Sequence, residues 1–133
     1  MDICDRIRRA RLAGKTHCGI VNGRMAVVEA ARTFGLADDS AIFRSIGPAE
    51  ADAIAIRILH TDLAYGSKIM ALARATHLWK RFLEAFEGQD VEFATNAGSD
   101  ACSWMPATKA TFDLEVLVIG TAMAGCLWVE DED

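Results

Sequence analysis

His17 and Cys18 stand side by side in a glycine-containing stretch, and His60 and Asp62 follow further along. The first chemistry the chain suggests is therefore a Cys18 thiol nucleophile with an imidazole base and a carboxylate orienter. Spacing argues against it. Neighbours on a strand point to opposite faces, and residues two apart on a helix diverge by about 200°, so these four residues define no common pocket. The plainer reading makes Cys18 a small apolar core residue and the histidines surface groups. Cys126 falls on a strand, and Cys102 lies in a loop with no local cation to activate it. His17, His60 and His77 form neither H-x-x-x-H nor H-E-x-x-H, so no metal is expected. No G-x-G-x-x-G, G-x-x-x-x-G-K or G-x-S-x-G motif is present either, so no cofactor is expected.

Acidic residues offer more. Asp113 and Glu115 sit at i, i+2, on one face of any strand that carries them, a spacing that a glycosidase or nuclease could use and that a solvated sheet edge explains more simply. The run Glu130-Asp131-Glu132-Asp133 follows a second apolar segment, and if the two segments form a hairpin the carboxylates gather into an anionic rim. Such a patch steers a basic protein partner into contact, with a rate that salt weakens. Trp104, beside Met105 and Pro106, is either tucked inward or waiting for a partner. Asp113, Glu115, Trp104, Glu130 and Asp131 are thus the expected partner-binding residues, the carboxylates answering Lys or Arg.

The elements that would position these groups follow from periodicity. Residues 2 to 12 place Ile3, Ile7 and Ala10 on one helical face with Arg6, Arg8, Arg9 and Arg11 mostly off it, and Gly14 as a stop. Asn22-Gly23 could turn a hairpin between 18–21 and 25–28, but Val27, Ala30, Ala31 and Phe34 share a helical face ended by Gly35, so a helix is preferred there. Gly47-Pro48 with Glu50 and Asp52 starts another helix, with Ile54, Ile58 and Leu59 buried. After a break at 64–67, residues 69 to 86 carry Leu72, Ala75, Leu78, Trp79, Phe82, Leu83 and Phe86 at helical spacing, with Gly88 beyond.

The period then drops to two. A short strand at 91–95 precedes a loop at 96–110, and Phe112, Leu114, Val116 and Val118 alternate with Asp113, Glu115, Leu117 and Ile119. The first set faces a core; the second begins wet and ends dry. Residues 125 to 129 return as a hairpin partner. One α+β domain over 1–133 is expected, its N-terminal helices packed on one face of a small C-terminal antiparallel sheet.

With 133 residues, 52% of them hydrophobic, the chain can bury one core without staples. Net charge is −5, but residues 1–81 carry +5 and residues 82–133 carry −10. An acidic balance, and a basic helix without interleaved aromatics, argue against a nucleic-acid partner. The absence of a leader and the scattered cysteines read as cytoplasmic and reduced, and the longest apolar run, 116–119, excludes a membrane span.

Several segments together carry a resemblance: Asp62-Leu63-Ala64-Tyr65, the helix with Trp79, Phe82 and Phe86, Thr95-Asn96, Pro106-Ala107-Thr108, Ala110-Thr111-Phe112-Asp113, and Gly125 to Asp131. Over residues 60–133 the chain resembles small uncharacterised bacterial proteins, some of them similar to immunity partners of interbacterial toxins, including those of contact-dependent growth inhibition. The resemblance implies a cytoplasmic, non-enzymatic inhibitor that binds one cognate toxin domain and occludes it. It transfers no catalytic residue. The alternatives are an enzyme using Cys18 and a binding or scaffold domain, homodimeric through the edge of the final strand.

Overall fold

A computed structural model describes residues 1–99 and 103–132. The α+β expectation holds: helices come mostly first, and the sheet is completed last. Helix α1 (Ile3–Ala10) starts where the Asp2 carboxylate accepts the Asp5 N–H at 2.9 Å. It buries Cys4 and Ile7 and leaves Arg6, Arg8 and Arg9 in solvent.

Strand β1 (Lys15–Asn22) follows. Local sequence gave no sustained alternation there, since Gly19 interrupts it, and the strand is held by pairing with a segment more than 100 residues away. The chain does not fold back at Asn22-Gly23; the preferred helix forms instead as α2 (Val27–Thr33). Glu29 accepts the Ala26 N–H at its start, and Gly35 leaves it at φ +82°, a left-handed conformation that disfavours a side chain.

A short strand β2 (Arg44–Ile46) leads into α3 (Pro48–His60), where Pro48 occupies the first turn and Ala51, Ala55, Ile58 and Leu59 are buried. Helix α4 (Leu72–Leu83) tightens into a 3₁₀ turn over Glu84–Phe86, and its buried stripe is Ala75, Leu78, Trp79 and Phe82. Strands β3 (Glu92–Thr95), β4 (Phe112–Ile119) and β5 (Met123–Asp131) complete the chain.

All neighbouring strands are antiparallel, in the order β1-β5-β4-β3-β2. The β4–β5 hairpin forms with Asp113 opposite Glu130 and Glu115 opposite Trp128. Strand β5 is therefore interior, paired on both sides, and the proposed dimer through its edge is closed off; the sheet's edges are β1 and β2.

Helices α1, α3 and α4 cover one face, where Cys18, Phe93, Leu114, Val116, Val118, Leu127 and Val129 meet Ile7, Ile58, Trp79 and Phe82. Gly125 on that face lets Phe82 and Phe86 rest on the backbone: a Cβ there would lie 2.8 Å from each ring. Helix α2 lies on the reverse face, where Ala30, Ala31, Leu36 and Ala107 close over Ala94, Leu117, Ile119, Ala124 and Cys126. Both faces of the sheet are thus covered, which explains why all residues of β4 beyond Phe112 are buried.

Candidate functional site

The expected anionic rim does not form. Asp113 and Glu115 are fully buried and Asp131 is 3% exposed, so these three carboxylates face the interior and not a partner. The physical reason is that α2 and residues 106–108 roof the reverse face, while the end of α1 reaches Asp131.

Asp131 has a cation of its own. Arg11, itself 2% exposed, meets it with two parallel N–H donors at 3.0 and 2.7 Å. The same guanidinium donates to the Ile58 and Ala13 carbonyls, and Asp131 also accepts the Leu63 N–H at 2.8 Å. Gly14, at φ +54°, passes so close that a Cβ would collide with the Asp131 carboxylate. One ion pair therefore ties α1, α3, the turn after α3 and β5.

Asp113 is satisfied by neutral donors: Asn96 Nδ2 at 2.9 Å, the Ala107 N–H at 3.1 Å, and the Thr108 hydroxyl at 3.1 Å. Asn96 in turn extends the β3–β4 ladder with its side chain, its Oδ1 accepting the Glu115 N–H and its Nδ2 donating to the Asp113 carbonyl. These bonds fold residues 104–108 onto the sheet.

Glu115 has no such set. Neither of its carboxyl oxygens has a hydrogen-bond partner. Burial, then the adjacent Asp113 carboxyl, push its pKa up to about 10. At neutral pH the group carries its proton beside the Asp113 carboxyl. The Cys126 thiol, fully buried on the same face, is raised by burial and by Glu115.

The remaining predicted residues separate. Trp104 is half-buried, its ring 5.4 Å from Phe112, and packs on the α1/α3/α4 side of the sheet, away from Asp113 and Glu130. Glu130 lines the reverse-face groove, whereas Asp131 reaches only a small pocket beside Gly14, Tyr65 and Glu132. Glu132 is exposed and takes the Thr111 N–H and hydroxyl, which hold its carboxyl below the usual range. Cys102 and Asp133 lie outside the described residues.

The thiol-nucleophile constellation is also dispersed. Cys18 is buried against Cys4 on the helical side, and burial and the Cys4 contact raise its pKa. His60 Nδ1 is engaged with the Met70 carbonyl at 2.7 Å, and Asp62 accepts the Tyr65 and Ser67 N–H groups of its own turn. Among the described residues, no group of three or more His, Cys, Asp or Glu is placed to hold a metal ion, and no helix is long and apolar enough to cross a membrane.

What the fold does assemble is a groove of about 750 Å³ on the reverse face. Trp128 lines it, with His17 stacked on its ring at 4.6 Å and 15° and Phe34 tilted against it at 5.8 Å. Phe34 reaches this place because Gly19 has no side chain: a Cβ there would stand 3.0 Å from the Phe34 ring. His17 Nε2 lies 3.0 Å from Glu130 Oε1, in ion-pair contact without hydrogen-bond alignment. Pro106 and Lys109 form the opposite wall.

The arrangement can hold a flat or branched apolar group against the cluster of Trp128, His17 and Phe34, beside charges of both signs. The protonated Glu115, cross-strand neighbour of Trp128, sits in the sheet beneath it and does not line the groove. Of this set, sequence reading singled out Glu130 for binding and considered His17 only beside Cys18. Trp128 and Glu130 share a strand face by alternation, which was a usable signal; Phe34 and Lys109 join through tertiary packing alone. No family model matches the chain, and neither the curated proteins nor the solved structures compared with it provide a match.

Proposed function

We propose that the protein is a non-catalytic, immunity-type inhibitor that binds a cognate bacterial toxin domain in the cytoplasm and neutralises it by occlusion, docking through the reverse-face groove. The observation that carries this reading is the half-buried Trp128, lining an open groove with His17 stacked on its ring and Phe34 tilted against it. An aromatic anchor fixed in its rotamer by flanking rings loses little entropy on binding, and a surrounding polar rim of Glu130 and Lys109 is the anatomy of an interface hot spot. The docking chemistry is thus aromatic with mixed charge, in place of the acidic rim. Asp113 supports it from below by fixing Ala107 and Thr108 in the groove's wall.

The test is growth rescue. Cells expressing the toxin domain encoded beside this chain's gene should grow when the chain is co-produced, and the two proteins should co-purify as a 1:1 complex. Trp128→Ala should lose at least an order of magnitude in affinity, as truncation of a hot-spot aromatic does, about 2 kcal/mol or more. Failure of the wild-type chain to protect or to bind, or lack of any such toxin gene, overturns the proposal; full binding by Trp128→Ala overturns the groove.

A further inference from the structure

Cys4 and Cys18 occupy a place that the proposed binding role does not use. Their sulfurs are 3.1 Å apart, inside van der Waals contact, with Cys18 Sγ donating to Cys4 Sγ. Both are buried, at 8% and 6% exposure, and they join two different elements, the first turn of α1 and the middle of β1. Only about 1 Å separates this approach from a disulfide bond length.

The two thiols are not equivalent. Cys4 lies in the first turn of α1, where unpaired backbone N–H groups favour an anion. The Cys18 S–H donates to it and lowers its pKa, and Arg8 adds a positive charge, while burial and the carboxylates of Asp2 and Asp5 oppose. Cys18 sits on a strand paired along its length with β5, and Arg8 also bonds its carbonyl oxygen. The first turn of α1, capped by a single side-chain hydrogen bond from Asp5 N to Asp2, is the part that can open to admit a reagent.

We propose that Cys4 and Cys18 form a redox-active dithiol, with Cys4 the attacking thiol and Cys18 the resolving one, which a hydroperoxide converts into a disulfide tying α1 to β1. In the first step the Cys4 thiolate attacks a peroxide oxygen; the O–O bond breaks, Cys4 becomes a sulfenic acid, and the departing hydroxide takes a proton to form water. In the second, the Cys18 sulfur attacks the Cys4 sulfur, the S–O bond breaks, and the hydroxyl leaves as a second water with the Cys18 proton. Two thiols and one hydrogen peroxide become one disulfide and two waters; the thiol pair loses two electrons and the peroxide gains them.

The experiment treats the purified full chain with hydrogen peroxide at one equivalent, then denatures it, alkylates the remaining thiols, and maps the peptides. The expected result is paired loss of the Cys4 and Cys18 thiols, a Cys4–Cys18 linked peptide, and Cys126 still alkylated. The oxidised chain should melt at a higher temperature than the reduced one, and a dithiol reductant should reverse both changes. Cys18→Ser should leave Cys4 as a sulfenic acid that a dimedone-type reagent captures, an adduct the wild-type chain lacks. The proposal is overturned if both thiols survive a dose that oxidises a reference dithiol peptide, or if the same cross-link forms equally well in urea. It is likewise overturned if Cys4 over-oxidises without linking to Cys18. The wild-type peptide map decides the matter even where the serine variant does not fold.

Discussion

The two faces of the sheet bury carboxylates in opposite ways. On the helical side Asp131 is met by a bidentate Arg11, and the pair also binds backbone groups from three other segments. On the reverse side Glu115 receives no cation; its neighbour is another carboxyl, and it escapes the cost of burial by keeping its proton. The first solution fixes the mutual placement of distant elements through charge. The second tolerates an acid under a roof of apolar residues, and the price is a fold that prefers its protonated state.

Removing the cation should be the harshest way to break this contrast. Arg11→Ala leaves a buried, unpaired carboxylate at Asp131, and stability measured by denaturant titration should fall by about 3–5 kcal/mol. Arg11→Met combined with Asp131→Leu should recover much of that loss, because an apolar pair needs no mutual attraction to offset its desolvation. A double variant as unstable as Arg11→Ala would show that the ion pair, and not relief of an orphan charge, holds the corner.

Glu115→Gln sharpens the other side. The folded-state pKa is raised above the ordinary 4.5, so the folded protein holds a proton that the unfolded chain releases. Stability from this group is full below about pH 4.5 and is lost as pH rises toward about 10, with a limiting slope of about 1.4 kcal/mol per pH unit. Glutamine keeps the shape without a proton to lose. The variant should therefore be more stable than wild type at pH 8, by up to about 5 kcal/mol, and nearly equal to it at pH 4.5. Parallel pH profiles for the two proteins would mean that Glu115 is ionised in the fold.

The smallest effect belongs to the surface. Arg32 and Asp38 pair at 2.8 Å with side chains 65% and 48% exposed, and Arg32→Ala should leave the denaturant midpoint essentially where it is in the wild type. A loss comparable to that of Arg11→Ala would erase the distinction between buried and solvated pairs.

Sequence periodicity was informative where one face of an element meets one neighbour. The stripe from Ala75 to Phe86, the Pro48 helix start and the β4–β5 hairpin were all legible for that reason. It failed where burial comes from a distant, irregular segment. Asp113 and Glu115 read as wet because polar residues alternated with apolar ones, yet Leu117 and Ile119 on the same face already indicated a cover, and the roof is residues 36 and 106–108 together with α2. Arg11 read as one more solvated arginine of a basic helix; its partner is 120 positions away, and no local rule could join them. Strand β1 was missed for the same reason, since the strand it pairs with is β5, more than 100 residues away.

The central place of β5 has a consequence for synthesis. During translation α1 and β1 leave the ribosome early, but β1 has no strand to pair with until residues 123–131 have emerged. Until then the nascent chain exposes two strand margins, β1 and β4, that the last hairpin will zip together. A chaperone that shields those margins, or a slow codon run placed before β4, would act on the yield of native protein more than on its final stability.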